Sequence, residues 1–197
     1  MQNTSTFNPS WNLDWFLDAR LNSHIDDLVN RYSCLLALRV DLFYQKSTAR
    51  YGQQNHRQLE NEVRLLMVEM MRQPAVVGYF WVIEWTVDHG YHAHVVFWLD
   101  GHVIQRPYPF AEKARGYWNT ITQQEGGFYR CEFKEGYTAN IDIPVCYDDP
   151  DSILNIRRAL SYLAKIEQKE GLCSFSCNDV PERPAAGRPR KRISHPV

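Results

Sequence analysis

The chain has 197 residues, 44% hydrophobic and 23% charged, with a formal net charge of −1. That length suits one well-buried domain, and the even charge excludes a surface coated in basic residues, though not a local basic face. No apolar run approaches the ~20 residues that span a bilayer, no signal peptide is expected from the polar first residues, and the scattered Cys34, Cys131, Cys146, Cys173 and Cys177 contain no CxxC pair; a cytoplasmic protein with reduced thiols and no membrane partner is expected.

Residues 1–31 read as a loose arm followed by helix. Ser10 to Tyr32 is expected to be helical, divisible at Asn22 or Ser23, either of which would cap a second piece. Cys34 to Tyr44 (CLLALRVDLFY) alternates as a strand, with Leu36, Leu38, Val40 and Leu42 on one face and Arg39, Asp41 and Phe43 on the other. Residues 45–54 read as a loop. Asn55 to Gln73 carries Leu59, Val63, Leu66, Met67 and Met70 at helical spacing, and Pro74 ends it.

Val77–Val87 and Tyr91–Leu99 read as two strands joined at Asp88-His89-Gly90, with Gly90 supplying a positive φ. A Pro-containing loop follows, then a helix over Ala111–Gln124 that Gly126-Gly127 would stop. Phe128–Phe133 and Tyr137–Ile143 read as a second hairpin. Asp148-Asp149-Pro150-Asp151 has the acids and early proline of a helix start, and the helix is expected to run to about Glu170, capped by Gly171. Residues 179–197 (DVPERPAAGRPRKRISHPV) hold prolines and cations with little to bury, and read as a disordered basic tail. Interspersed helices and hairpins give an α+β domain over 32–178, with a central antiparallel sheet flanked by helices.

Two histidines, His92 and His94, open an apolar strand, and alternation puts both on one face. A turn of Asp88-His89-Gly90 would set Thr86 opposite His92 and Glu84 opposite His94. Glu84, His92 and His94 would then converge, two imidazoles and a carboxylate suited to a divalent metal. A slip of one residue would move Glu84 to the other face. His89 and His102 fall in a turn and past a strand end, and read as surface residues. On the last helix, Arg158, Tyr162, Lys165 and Lys169 follow i, i+4, i+7 and i+11 beside the apolar stripe of Ile153, Ile156, Leu160 and Leu163. Such a column suits a phosphodiester: cations hold its oxygens, and positive charge favours the phenolate of Tyr162.

YHAHVVFWLDG followed downstream by SYLAKIEQK resembles the HUH endonucleases, the rolling-circle replication initiators and relaxases. LRVDLFY is similar to the strand preceding the histidine motif in the gene II-type replication proteins of filamentous phages and the related YagK/YfjJ-type prophage proteins. The resemblance covers roughly residues 30–170. It implies a sheet carrying the histidines under the tyrosine helix, Mg²⁺ or Mn²⁺, and nicking of single-stranded DNA at an origin hairpin. Residue by residue, it implies His92, His94 and Glu84 as metal ligands, Tyr162 as nucleophile and Lys165 as the motif lysine. Arg158 and Lys169 are further expected as DNA-phosphate contacts, and Arg188, Arg190, Lys191 and Arg192 as an electrostatic tether to DNA. The chain lacks a GxxxxGK[ST] loop, so unwinding would need a host helicase in trans. A relaxase or transposase of the same superfamily, a non-catalytic DNA-binding protein on this fold, and a hydrolase using metal-activated water are the alternatives.

Overall fold

The computed structural model describes residues 12–169 and 171–183. The tail cations Arg188, Arg190, Lys191 and Arg192, and most of the expected N-terminal arm, lie outside them. Asp14 caps helix α1 (Trp15–Arg31) by accepting from the amides of Phe16 and Leu17. The helix is unbroken. Asn22 and Ser23 sit inside it rather than at a cap; Asn22 donates to Asp18 O and accepts from Arg157. Strand β1 (Cys34–Tyr44) has the expected bounds. The expected loop after it contains a short helix, α2 (Ala49–Gln53), capped by Thr48. Asn55 caps α3 (His56–Met71).

Strands β2 (Val76–Thr86) and β3 (Gly90–Asp100) form the central hairpin, and Gly90 has φ +64° as the turn requires. Helix α4 (Tyr108–Ile121) starts at Tyr108 rather than Ala111, after Pro107. Gly126-Gly127 does not merely stop that helix but opens strand β4 (Gly126–Cys131). The second hairpin does not form. Residues 137–143 make no strand; at their centre the Asn140 backbone bonds to a side chain instead, Asn140 N to Asn155 Oδ1 at 2.9 Å, with Asn155 Nδ2 returning to Asn140 O at 2.7 Å. Strand β5 (Val145–Cys146) follows.

Asp149 caps α5 (Pro150–Leu160), as the run of acids predicts. The helix stops well short of Glu170. It tightens into a 3₁₀ turn over Ser161–Ala164, and Lys165 is extended. The cause is long-range: Lys165 bridges Leu13, with Asp14 N to Ala164 O at 2.8 Å and Ile166 N to Asn12 O at 2.8 Å. Strand β6 (Phe175–Cys177) ends the described fold.

The fold is α+β, with a six-stranded antiparallel sheet in the order β4-β1-β3-β2-β6 and β5 also on β1. One face packs Leu38, Val40, Trp81 and Phe97 against α3 and α4. The other packs Leu35, Phe80, Val96 and Trp98 against α1 and α5. Each large buried side chain contributes roughly 1.5–3 kcal/mol by leaving water, so both layers hold the sheet rigid. Among the described residues, no helix is long and apolar enough to cross a membrane.

Candidate metal centre and its tyrosine

The hairpin register differs from the expected one by two residues. Glu84 pairs with His92, Val82 with His94, and Thr86 with Gly90, so the connection is Val87-Asp88-His89. Glu84 nevertheless stays on the histidine face, because side chains alternate with period two and an even shift preserves parity. Glu84, His92 and His94 are all buried, and their ligand atoms lie within 4.8 Å of one another.

Pairing across the sheet extends this face onto β1 and β4. One row runs Gly127, Phe43, His92, Glu84; the next runs Tyr129, Asp41, His94, Val82; the next holds Cys131, Arg39, Val96 and Phe80. At the apolar end of the face α1 and α5 cover the sheet. At the polar end the 3₁₀ turn brings Tyr162, whose ring centroid is 5.1 Å from that of His94.

Both imidazoles are oriented by their Nδ1 atoms. His92 Nδ1 is 3.0 Å from Gly90 O, which can only accept, so Nδ1 carries the proton and Nε2 keeps its lone pair. His94 Nδ1 is 2.5 Å from Asp41 Oδ1, the carboxylate–histidine pairing that orients metal-binding imidazoles. His94 Nε2 then faces Glu84 Oε2 at 3.2 Å. Both atoms are buried without a well-directed hydrogen bond, an arrangement that a cation between them would satisfy. The donor set, with His94 Nε2 left without a hydrogen-bond partner among the described residues, fits a divalent metal ion. Burial and the neighbouring His94 hold His92 down at about 4, so it is neutral near pH 7. Burial pushes Glu84 up, but its charged partners, Lys169 and Lys165 among them, outweigh it and hold the carboxyl at about 2.

Glu84 already has two cations. Lys165 Nζ is 3.1 Å from Oε2 and Lys169 Nζ 3.0 Å from Oε1. Lys169 also donates to Lys165 O. The helical column of Arg158, Tyr162, Lys165 and Lys169 therefore does not exist, since the chain leaves the helix after Leu160. Lys169, expected beside a DNA phosphate, is buried on Glu84 instead, where a carboxylate of zero exposure needs a counter-charge. Arg158 is exposed near the end of α5. Lys165 sits both on Glu84 and 3.6 Å from the Tyr162 ring centroid.

No protein-family model, no curated protein and no solved structure matches this chain. The site must be read from its own chemistry.

Two contributors are not apparent in the sequence pattern. Asp41 orients His94, and Arg39 stands 3.6 Å from Asp41 and 4.8 Å from the Tyr162 ring centroid. Their one signal is the polar side of LRVDLFY: two charges alternating with buried aliphatics, on a strand that turns out to neighbour the histidines. His89 is exposed, with its ring 5.8 Å from that of His92. Burial pushes the Tyr162 phenol up to about 12, with the Glu84 charge adding and Arg39 opposing.

Proposed function

We propose that the chain is a metal-dependent nickase that cuts and rejoins single-stranded DNA through Tyr162, in the manner of the HUH endonucleases it resembles, and so initiates rolling-circle replication of a phage, plasmid or prophage element. The observation that carries this reading is the Tyr162 ring standing 5.1 Å from His94 at the edge of the Glu84, His92 and His94 group. A phenol at the rim of a metal-binding triad supplies the two parts a phosphodiester transfer needs, a nucleophile and a stabiliser of phosphate charge.

Two imidazoles and one carboxylate suit Mn²⁺ better than Mg²⁺, which prefers all-oxygen ligands. When bound, the ion supplies Lewis-acid polarisation of the scissile phosphate. Tyr162 Oη forms the new bond to phosphorus as the bond to the 3′ oxygen breaks. The products are a 5′-phosphotyrosine and a free 3′ hydroxyl, which gains, net, the proton the phenol loses. A phenol raised to about 12 by burial attacks at neutral pH only with help. Arg39, 4.8 Å from the ring centroid, already moderates that rise and, with Lys165 at 3.6 Å, keeps positive charge beside the ring; the remaining help would come from a bound cation. Asp41 and Gly90 keep both Nε2 lone pairs available. Lys169 holds Glu84 in place. The energy of the phosphoester is retained in the adduct, so the 3′ hydroxyl can prime synthesis and the strand can later be resealed. The partner is a single-stranded origin hairpin, with a host helicase in trans.

The test is incubation with labelled single-stranded oligonucleotides and Mn²⁺, read on a denaturing gel. A protein-sized shift lost in Tyr162→Phe and in His92→Ala supports the reading. Cleaved ends without a protein adduct would sink it in favour of a hydrolase.

One observation favours a second reading, a DNA-binding protein without catalysis. Lys165 and Lys169 already neutralise Glu84, so the cluster holds together as an ion-pair network with no metal. That protein would bind DNA equally well as Tyr162→Phe and give no adduct under any divalent metal.

A further inference from the structure

Next to Tyr162 the sheet face opens into a cleft of about 490 Å³ between β4, the loop after it and α5, within the range of small-ligand sites. Arg39, Tyr129, Lys134, Tyr137, Arg158 and Tyr162 are among the residues lining it. Its floor continues the metal-candidate face, since Tyr129 pairs with Asp41 and Asp41 with His94. Tyr129 is 46% exposed and Tyr137 58% exposed, so two large rings that line one opening stand partly in water. Neither is a loose side chain on a loose loop: Tyr129 is on a paired strand, and Asn140 and Asn155 tie the Tyr137 loop to α5.

The charge of the cleft is cationic. Arg39, Lys134 and Arg158 line it, and of its acids Asp41 is engaged by His94 and Arg39 while Glu132 pairs with Arg130 at 2.7 Å. Arg39 Nε is buried without a hydrogen-bond partner among the described residues, so the guanidinium that lines the cleft has a donor unspent. Exposed flat rings beside forked cations are what an unstacked nucleotide requires: a π-face for the base and donors for the phosphate.

We propose that this cleft is a nucleotide subsite for single-stranded DNA, which takes a base against Tyr129 and Tyr137 and the adjoining phosphate on Arg39 and Arg158. It holds the strand one step from the phosphate presented to Tyr162. That the strand is DNA rests on the nicking reading above; the subsite itself rests on the cleft.

The probe is a fluorescent twelve-residue oligothymidylate, bound to the full chain in EDTA and followed by anisotropy. Tyr129→Ala and Tyr137→Ala are each expected to weaken binding about 5- to 150-fold, the usual loss of one base–aromatic stack. Tyr129→Phe should restore it, because the ring and not the hydroxyl is used. Arg158→Ala should lower the salt slope by about one. Tyr108→Ala, an exposed tyrosine on α4 over the opposite face, should change nothing.

The subsite is overturned if the parent does not bind the oligothymidylate, if the Tyr129→Ala/Tyr137→Ala double variant binds like the parent, or if oligouridylate or duplex binds more tightly. The two readings fail separately. Adduct formation with Mn²⁺ that is indifferent to the cleft variants removes the subsite and leaves the nickase. Cleft-dependent binding with no adduct removes the nickase and leaves the subsite.

Discussion

Asp41 and His94 are register partners on adjacent strands, and Asp41 Oδ1 stands 2.5 Å from His94 Nδ1. The carboxylate fixes which nitrogen of His94 carries the proton, and hence that Nε2 faces Glu84. Asp41→Ala is therefore expected to weaken Mn²⁺ binding about 10- to 100-fold, the usual cost of losing such a partner, measured by calorimetric titration. Unchanged affinity would mean that His94 is oriented by something else.

Lys165 and a metal ion compete for Glu84 Oε2, which Lys165 approaches to 3.1 Å. Removing the ammonium frees the oxygen and removes a positive charge from the site. Lys165→Met should bind Mn²⁺ severalfold more tightly and yet form less adduct, because the cation beside Tyr162 is gone. Metal affinity and adduct yield falling together would contradict this opposition and point to a lysine whose role is only to hold the fold.

The histidine face is legible in the sequence because it depends on parity alone. Glu84, His92 and His94 share a face at the predicted register and at the observed one, two residues away. The end of α5 is not legible. Ile156, Leu160 and Leu163 continue a helical stripe through the 3₁₀ turn, and what stops the helix is a bridge to Leu13, far away in sequence. That bridge moves Lys165 and Lys169 off an imagined helical flank and onto Glu84. Residues 137–143 show the same limit: β-branched and aromatic residues promise a strand, but Asn155 claims the backbone of Asn140 at their centre. The role of Asp41 is hidden in the same way, because its partner belongs to a strand that is adjacent in the sheet but distant in sequence.

His24 lies on α1 at 4% exposure, against Phe80, and burial with Arg20 holds it down at about 4 from an ordinary 6.5. The folded state therefore binds fewer protons than the unfolded state between these values. Stability from this group is full above pH 6.5 and is lost as pH falls through 4, on the order of 3 kcal/mol in all. His24→Leu should flatten that part of the urea-denaturation profile between pH 6.5 and 4. An unchanged slope would place the acid sensitivity elsewhere.

The central claim is that Tyr162 becomes covalently joined to a DNA 5′ end. Its most direct test is peptide mapping by mass spectrometry after reaction with single-stranded DNA and Mn²⁺ and digestion of the DNA. The claim predicts a nucleotide-5′-phosphate mass on the peptide that contains Tyr162, absent when His94 is replaced by Ala. Modification at another residue, or cleaved DNA with every tyrosine peptide unmodified, would contradict it.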